Sequence, residues 1–211
     1  MTSPEIYDRD YFERGPETGK SLYRNYRWMP WQTAVMAHSI IEGFRLNPGS
    51  RVLDVGCAKG FLVRALRFFD MEAEGCDVSS YAIEHADRQA RPHLHRMTPG
   101  YLRRRCGRFD LTVLKDVLEH VEDPAGLLAD LHSRTRQILV VVPLGDGGRF
   151  RIEEYGQDAT HRHAQPLAWW QGVLERAGYS LGRCSYRWAG IKDHWYDVHE
   201  RGNGFLVGSA V

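Results

Sequence analysis

Two short segments of the sequence combine carboxylates with histidines, the side chains that transfer protons or bind metal ions near neutral pH. The first segment is D-V-L-E-H over residues 116–120, and the second is D-A-T-H-R-H over residues 158–163. His120 could act as a general base, because the unperturbed pKa of a histidine lies close to neutrality. Glu119 and His120 could equally join a metal site or fix a loop by hydrogen bonds, and the sequence leaves these roles open.

The second segment offers three potential ligands on one short stretch of chain. In extended backbone, residues i and i+2 face the same side, so His161 and His163 could bind one metal ion together with Asp158. The same side chains could instead bind a substrate, transfer a proton or lie exposed on a loop. We therefore assign no metal ligands from the sequence, and His161 becomes a second candidate base.

A third segment, R-V-L-D-V-G-C-A-K-G over residues 51–60, has the composition of a buried strand that ends in a glycine turn. A helical pattern follows it, and a strand, a glycine turn and a helix in this order present backbone N–H groups to a ligand. A second predicted strand then ends in Asp77, about 20 residues after the turn, where an acid can accept hydrogen bonds from ribose hydroxyls. Gly56, Gly60 and Asp77 together predict a site for a ribose-containing ligand.

The elements that must position these residues alternate between strands and helices. The predicted strands cover 51–55, 72–77, about 93–97, 109–115 and 137–142, and the predicted helices cover 28–44, 60–69, 79–90, 100–105 and 124–134. Such alternation predicts a parallel sheet with right-handed crossovers. A glycine- and charge-rich connection over 145–165 precedes a helix that opens at Pro166, and connections of that length are usually functional or disordered. Two further strand-like runs, 181–188 and 204–209, follow that helix.

The strings D-V-G-C-A-K-G, G-C-D-V-S and F-D-L-T-V-L-K-D-V-L-E-H-V resemble the class I, Rossmann-like S-adenosylmethionine-dependent methyltransferases. The resemblance is specific over residues 47–144 and continues more loosely to the C-terminus. It implies an α/β fold with a doubly wound, seven-stranded, mostly parallel sheet of order 3-2-1-4-5-7-6. The last strand would be antiparallel, and helices would cover both faces. The chain departs from the family pattern D/E-x-G-x-G-x-G at Ala58, which replaces the middle glycine.

The resemblance also implies a cofactor, S-adenosyl-L-methionine, with S-adenosyl-L-homocysteine as the product. Asp54 would lie near the methionine ammonium group, Asp77 would bind the ribose and Val78 would flank the adenine. The glycine spacing G-x-x-x-G differs from the G-x-G-x-x-G of nicotinamide-dependent dehydrogenases and disfavours a dinucleotide. The expected cofactor-binding residues are Asp54, Gly56, Cys57, Ala58, Gly60, Asp77, Val78, Met97, Thr98, Lys115 and Asp116.

On the acceptor side, the resemblance covers the D-x-T-H string before a W-W helix, a segment that closes over the substrate in many members. His120 and His161 are therefore the expected catalytic residues. The aromatic N-terminal segment resembles a lid over the cofactor and the acceptor in other members. The expected substrate-binding residues are Tyr23, Trp28 and His163.

The composition is that of an ordinary globular domain. The 211 residues are 43% hydrophobic and 26% charged, and the net charge of +1 predicts no global attraction to nucleic acid. The sequence lacks an apolar run of roughly 20 residues and a secretory signal, and its four cysteines are far apart, so we expect a cytoplasmic protein without membrane contact. By resemblance, residues 1–46 would form a helical lid, and residues 47–211 would form the cofactor-binding domain with 145–165 as an active-site loop. The sequence predicts no oligomeric state.

These features predict a methyltransferase that acts on a small-molecule acceptor, such as a metabolite, natural product or sugar, and on a hydroxyl in preference to nitrogen or carbon. Two alternatives stay open. The seven arginines from Arg88 to Arg108, uninterrupted by an acid, could bind RNA or a protein substrate. The chain could also bind the cofactor as an accessory protein without transfer, because a fold does not establish an activity.

Overall fold

A seven-stranded sheet forms the centre of the computed structural model, which describes residues 4–104 and 107–210. The strands are β1 (Arg51–Val55), β2 (Glu72–Asp77), β3 (Leu94–Arg96), β4 (Phe109–Lys115), β5 (Thr135–Pro143), β6 (Tyr179–Ser185) and β7 (Asn203–Ala210). Their order is β3-β2-β1-β4-β5-β7-β6. The strands from β3 to β5 are parallel, whereas β7 is antiparallel to both β5 and β6. The expected sheet order and the antiparallel last strand are thus confirmed.

Helices cover both faces of this sheet. They are α1 (Arg9–Glu13), α2 (Gly15–Thr18), α3 (Pro30–Phe44), α4 (Phe61–Phe68), α5 (Ser80–Glu84), α6 (Tyr101–Arg104), α7 (Pro124–His132), α8 (Leu167–Arg176) and α9 (Asp193–Val198). The helices α3 and α4 pack into one hydrophobic core, and α6, α7 and α8 pack into another. Within the described ranges, every helix is too short or too polar to cross a membrane.

Successive residues of β1 alternate between the two cores. Val52 lies in the core under α3 and α4, and Leu53 lies in the core under α7 and α8. A parallel strand that is buried on both faces needs a continuous apolar run, which is what the sequence shows over 51–55. Because β1 is parallel to β2 and β4, the carboxyl ends of these strands lie at one edge of the sheet, where the glycine turn and the D-V-L-E-H segment meet.

One predicted helix is much shorter in the structure. The helix expected over 79–90 ends at Glu84, and turns follow it. Asp87 stabilises these turns, because its carboxylate accepts the N–H of Gln89 at 2.9 Å and pairs with Arg64 at 2.8 Å. Aspartate side chains that bind nearby backbone N–H groups compete with helical hydrogen bonds, and this local competition ends the helix.

The long connection over 145–165 is not a featureless loop. It contains a hairpin of Gly145–Asp146 with Arg149–Phe150 and a 3₁₀ helix, Glu153–Gln157. The N–H of Arg162 donates to the Glu119 carbonyl oxygen at 2.8 Å, which ties the connection to the segment after β4. The second histidine segment is thereby placed beside the first, at the carboxyl edge of the sheet.

Candidate active site

The glycine turn after β1 lines a cleft at the carboxyl ends of the parallel strands, where open α/β sheets bind ligands. Gly56 has a φ of 74°, and a Cβ at this position would lie 2.4 Å from a methyl carbon of Val117. The N–H groups of Gly56 and Cys57 donate to the Cys76 carbonyl oxygen at 2.8 and 3.1 Å. Backbone conformation and close packing therefore both require glycine at residue 56.

Asp77, at the end of β2, is held by the same turn. One carboxylate oxygen accepts the N–H of Ala58 at 2.8 Å, and the other accepts the N–H of Ser79 at 2.8 Å. Ala58 has a φ of 48°, a left-handed conformation that glycine adopts more readily than alanine. Burial raises the pKa of Asp77 above its usual value in spite of these hydrogen bonds. Each carboxylate oxygen keeps a second lone pair, so Asp77 can still accept bonds from a ribose diol.

The cleft beside Asp77, which we call the Asp77 cleft, has a volume of about 590 Å³. Val78 and Met97 line it from the strand ends, and Tyr7 and Phe12 line it from the N-terminal segment. This volume falls in the range of roughly 300–1,000 Å³ that small-molecule sites occupy. Apolar side chains beside the Asp77 carboxylate suit a ligand with a flat base and a ribose.

A second cavity of about 510 Å³, which we call the His120 chamber, adjoins the cleft on the side of β4. The two cavities share the lining residues Tyr11, Tyr23, Gly56, Asp116 and His120. The chamber is also lined by Asp54, Cys57, Lys115, Glu119, Tyr155, Asp158, His161 and Lys192. The structure thus brings the glycine turn and both histidine segments to one continuous space.

Asp54 faces the chamber without a partner from the protein. The residue is 5% exposed, and in the described part of the chain its carboxylate accepts no hydrogen bond. Burial raises the pKa of Asp54 to about 7, against the opposing charge of Lys115, and the charge of Asp77 adds to the rise. A bound cation would stabilise such a carboxylate. Asp54 and Asp77 therefore fit the ammonium group and the ribose of S-adenosylmethionine.

Asp116 lies between two lysines at the junction of the cavities. Its carboxylate pairs with Lys115 Nζ at 2.6 Å and with Lys192 Nζ on its other oxygen. Burial alone would raise the pKa of Asp116, but the two ammonium groups lower it below its usual value. Lys192 also donates to the Tyr155 hydroxyl at 2.9 Å and to Asn203 Oδ1 at 3.0 Å. Asp116 is therefore an ionised, fully paired carboxylate that shapes the chamber.

Sequence reasoning missed three members of this network, Tyr155, Lys192 and Asn203. Lys192 is 76 residues from Asp116 along the chain and adopts a left-handed φ of 60° immediately before α9. A lone lysine in a loop carries no spacing signal for such a contact. Between β6 and β7 the sequence shows only a concentration of aromatic residues, namely Tyr186, Trp188, Trp195 and Tyr196.

The two expected catalytic histidines lie side by side. The ring centroids of His120 and His161 are 4.7 Å apart. Burial, assisted by the neighbouring His161, lowers the pKa of His120 to about 4, and burial also lowers the pKa of His161. Both imidazoles are therefore neutral near pH 7 and can accept a proton. Each ring is anchored through Nδ1, His120 to the Thr160 hydroxyl at 2.8 Å and His161 to the Tyr155 carbonyl oxygen at 2.7 Å.

Glu119 is the most unusual group in the chamber. It is fully buried, and neither carboxylate oxygen forms a hydrogen bond with the described residues. Burial raises its pKa well above the usual value, and the charge of Asp116 adds to the effect, so the neutral acid is favoured. The ligand atoms of Glu119, His120 and His161 lie within 4.8 Å of one another. These three residues are the set in the described ranges that could hold a metal ion.

The N-terminal segment covers part of both cavities. Lys59, in the glycine turn, pairs with Glu13 of α1. The hydroxyl of Tyr11 donates to a carboxylate oxygen of Asp158 at 3.1 Å. Tyr23 packs against Tyr11, with ring centroids 5.8 Å apart, and lines both cavities. The Lys59–Glu13 pair therefore links the segment to the glycine turn, and the Tyr11–Asp158 hydrogen bond links it to the wall of the chamber.

Four predicted site residues lie outside the lining of both cavities, namely Trp28, Gly60, Thr98 and His163. Trp28 lies under the guanidinium of Arg64, 4.3 Å from the ring centroid. His163 is hydrogen-bonded through Nε2 to the Val121 carbonyl oxygen at 2.8 Å. Trp28 and His163 thus stabilise the walls of the site in this structure and do not face its interior.

The arginine-rich segment 88–108 lies away from the chamber, and Arg103 alone of its described arginines lines the Asp77 cleft. Arg103 pairs with Asp130 at 3.6 Å, and Arg108 donates to the Thr135 carbonyl oxygen at 3.1 Å. Arg105 and Cys106 lie outside the described residues. Part of the segment is thus engaged in contacts within the protein.

Comparison with known proteins points to one family. The sequence profile of a family described as a methyltransferase domain matches residues 27–187. A ubiquinone biosynthesis O-methyltransferase from Thiobacillus denitrificans is 33% identical over 91 residues. That match covers 38% of this chain and 38% of the relative, so the chain matches well under half the length of the relative.

Solved structures share the fold at low sequence identity. The magnesium protoporphyrin IX methyltransferase of Synechocystis, with bound S-adenosylhomocysteine, is 17% identical with a TM-score of 0.62, and the match covers 98% of this chain and 92% of that one. The [4+2]-cyclase SpnF is 16% identical with a TM-score of 0.61, and the match covers 83% of this chain and 80% of that one. Because a protein described as a cyclase shares the fold, the reaction must be argued from the site.

Proposed function

Because the chain belongs to the class I S-adenosylmethionine-dependent methyltransferase family, we propose that it transfers the methyl group of S-adenosylmethionine to a hydroxyl of a small molecule. The observation that carries this proposal is the continuity of the Asp77 cleft with the His120 chamber, which share Gly56, Asp116 and His120. One space thus offers a nucleoside site at one end and neutral proton acceptors at the other.

The chain's own residues would hold the cofactor at two points. Asp77 would accept hydrogen bonds from the ribose hydroxyls, since both of its oxygens keep a free lone pair. Asp54 would pair directly with the methionine ammonium, since the nearby charge of Lys115 only partly opposes the effect of burial on this carboxylate. When bound, the cofactor supplies a methyl group that is already activated on a positively charged sulfur.

The remaining tasks of the protein are to align the acceptor and to remove its proton. Holding two reactants in line lowers the barrier by removing translational and rotational freedom before the reaction. The neutral imidazoles of His120 and His161 face the chamber and can take the proton of an acceptor hydroxyl. A neutral amine needs no base before it attacks, so two positioned bases favour a hydroxyl acceptor.

The enclosure of the chamber favours a small acceptor. Its walls come from several parts of the chain, including the N-terminal segment, the glycine turn after β1, the end of β4, the 145–165 connection and the loop before α9. A volume of about 510 Å³ suits a ligand of drug-like size. An RNA strand or a folded protein would have to reach His120 past Tyr11, which lines both cavities.

The test is methyl transfer from isotopically labelled S-adenosylmethionine to matched pools of small phenols, sugars, amines, RNA and protein. We expect the label in hydroxyl-bearing small molecules, with equimolar S-adenosylhomocysteine released. The double variant His120→Ala, His161→Ala should bind the cofactor normally and lose at least tenfold in turnover. His85→Ala, which removes an exposed histidine outside the lining of both cavities, is the matched control.

Two results would contradict the proposal. Label found in RNA or protein and absent from small molecules would assign the alternative substrate class. Binding of the cofactor without transfer to any pool would support an accessory, non-catalytic role.

A further inference from the structure

Behind His120, two side chains form a hydrogen-bonded relay that ends in a buried carboxylate. The Thr160 hydroxyl oxygen lies 2.8 Å from His120 Nδ1 and 2.5 Å from a carboxylate oxygen of Asp158. Thr160 and Asp158 are only 2% and 6% exposed, so water competes little for these bonds. The Tyr11 hydroxyl donates to the other Asp158 oxygen at 3.1 Å. Hydrogen bonds therefore hold this relay at both ends, the His120 ring and the Asp158 carboxylate.

The chemistry of the three groups sets the direction of each bond. The Asp158 carboxylate can only accept hydrogen bonds, so the hydrogen of the Thr160 hydroxyl points at it. The same carboxylate also accepts the Thr160 N–H at 2.8 Å and the Tyr11 hydroxyl. A hydroxyl has one hydrogen, so Thr160 can only accept from His120. The neutral imidazole then carries its hydrogen on Nδ1, and its lone pair is on Nε2. In the described part of the chain, Nε2 has no hydrogen-bond partner.

The neighbouring His161 is anchored differently. Its Nδ1 donates to the Tyr155 carbonyl oxygen, an uncharged acceptor, and its Nε2 lies 4.0 Å from Asp158 Oδ2. The free nitrogen of His161 thus faces an acid of the protein. His161 lines only the chamber, whereas His120 lies at the junction of both cavities. Methyl donor and acceptor must meet at that junction, so His120 is the better placed of the two imidazoles.

From this geometry we propose that Thr160 and Asp158 are positioning residues that fix His120 as the Nδ1–H tautomer and present Nε2 to the acceptor hydroxyl. The proposal rests on the proposed function and deepens it, because it selects one base from the histidine pair. A carboxylate reached through a hydroxyl also stabilises the positive charge of the imidazole once it has taken a proton. Tyr11 makes the relay depend on the N-terminal segment, since its hydroxyl holds the carboxylate in place.

The step balances as a single displacement. The acceptor oxygen forms a bond to the methyl carbon while the bond from that carbon to sulfur breaks, and the electron pair of the broken bond stays on sulfur. The acceptor O–H bond breaks, and its proton moves to His120 Nε2. The imidazolium then returns the proton to water when the products leave. No oxidant or reductant is needed, and the proton does not pass to Asp158.

The test is a direct measurement of the His120 tautomer by ¹⁵N nuclear magnetic resonance, with ¹⁵N-histidine incorporated into the full chain near neutral pH. In the wild type we expect the Nδ1 shift of a protonated nitrogen and the Nε2 shift of an unprotonated one. The reverse pattern in the wild type would overturn the proposal. The measurement needs no acceptor, so it does not depend on finding a substrate.

Two variants separate positioning from simple support of the fold. Thr160→Val keeps the shape and removes the hydroxyl, and it should move the His120 shifts toward the Nε2–H tautomer. Thr160→Ser restores the hydroxyl and should restore the wild-type shifts. Unchanged signals of His132 and unchanged calorimetric affinity for S-adenosylhomocysteine will show that the fold and the cleft are intact. A wild-type tautomer in Thr160→Val would show that the relay does not fix the ring.

A final arm distinguishes a base from a metal ligand, since Nε2 could also bind a cation. We expect the His120 signals of chelator-treated protein to survive equimolar Mn²⁺. Selective broadening of the His120 and His161 signals would make them ligands and overturn the assigned role. Failure of methyl transfer to small hydroxyl compounds, with the tautomer as expected, would refute the proposed function and leave the ring geometry established.

Discussion

At the scale of single residues, Asp54 and Asp77 show how burial prepares a site for a ligand. Both carboxylates are buried and both have a raised pKa, but the protein satisfies only Asp77, through two backbone N–H groups. Burying an unpaired carboxylate costs folding free energy, and the cost is offset when a cation binds. The unpaired state of Asp54 is therefore the stronger sign that a charged ligand belongs in the chamber.

Removing the Asp77 carboxylate should weaken cofactor binding more than it destabilises the fold. We expect Asp77→Ala to reduce the calorimetric affinity for S-adenosylhomocysteine at least tenfold, because two ribose hydrogen bonds to a carboxylate are lost, each worth about 1.5 kcal/mol or more. Glu72→Ala, an exposed acid at the other end of the same strand, is the control and should leave the affinity unchanged. Equal affinity in wild type and Asp77→Ala would remove the ribose assignment.

Cofactor affinity should also depend on pH through Asp54. In the free protein its pKa is about 7, so below that pH the carboxyl is largely protonated and must release a proton before it can pair with an ammonium. Affinity should therefore fall as pH decreases below about 7, by up to roughly tenfold per pH unit. Calorimetry with S-adenosylhomocysteine between about pH 5.5 and 8.5 measures this slope.

The variant Asp54→Asn removes the titrating group. Its affinity should be weaker than that of the wild type at about pH 8, and its pH slope should be nearly flat over the same range. A wild-type affinity that does not change with pH would contradict the pairing of Asp54 with the ammonium.

Sequence reasoning found the residues whose chemistry depends on short spacing. Gly56, Asp77, His120 and His161 follow from a turn, a strand end and local strings, and the structure brings these four to one space, whereas it leaves His163 outside. Lys192 and Tyr155 complete the same space through contacts across long stretches of chain. Such contacts form only where loops that are distant in the sequence come together in the fold. Neither the residue types nor their spacing predicts which loops do so.

At the scale of elements, the N-terminal segment and the 145–165 connection form the roof of the site together. The Tyr11–Asp158 hydrogen bond joins them directly, and the Lys59–Glu13 pair joins the segment to the glycine turn. Residues 1–46 were expected to act as a lid, and we propose this role for the part that precedes α3, because α3 itself packs into the hydrophobic core with α4. Residues 1–3 lie outside the described part of the chain. A lid of this kind excludes water from the reacting atoms when it is closed.

Loosening the Lys59–Glu13 pair should open this lid. The pair is mostly buried, so Lys59→Met leaves the Glu13 carboxylate without its cation. We expect amide hydrogen exchange over α1 and α2 to become several-fold faster, and the affinity for S-adenosylhomocysteine to fall. Arg14→Ala breaks an exposed pair with Asp10 in the same segment and should change neither, because exposed pairs contribute little. Unchanged amide hydrogen exchange over α1 and α2 in Lys59→Met would show that the Lys59–Glu13 pair does not hold this segment closed.

The elements that sequence patterns predicted best are those buried on both faces. The apolar run of β1 is compatible only with a strand that is buried on both faces, and its predicted range of 51–55 matches the structure. The helix expected over 79–90 was wrong in length, because the side chain of Asp87 stabilises turns where apolar spacing suggested a helix. Side-chain to backbone hydrogen bonds of this kind override periodicity locally.

At the scale of the whole molecule, the pairing of β7 with β5 and β6 could not come from periodicity. β7 lies 60 residues or more from β5 along the chain, and a strand pattern states neither its neighbour nor its direction. The order was expected because the local strings resemble a family with that topology. The alternation of strands and helices alone predicted only a parallel sheet with helices around it.

The charge of the whole molecule leads to a last prediction, that RNA is not the substrate. The net charge is only +1, and three described arginines of the 88–108 segment are already engaged, Arg103 with Asp130, and Arg104 and Arg108 with backbone carbonyls. Non-specific RNA binding draws its free energy from counterions released by free cationic side chains. We therefore expect no binding of a labelled RNA tighter than about 10⁻⁵ M at physiological salt in a fluorescence anisotropy titration.

The double charge reversal Arg91→Glu, Arg104→Glu tests the same point on the transfer reaction. Both side chains are exposed and lie outside the lining of the cleft and the chamber. Methyl transfer to small hydroxyl compounds should be unchanged in this variant at both low and physiological salt. If the reversal instead abolished transfer and removed a steep salt dependence, the arginine segment would be a substrate surface. The acceptor would then have to be a polyanion, because only a polyanion gains from many weak contacts of this kind at once.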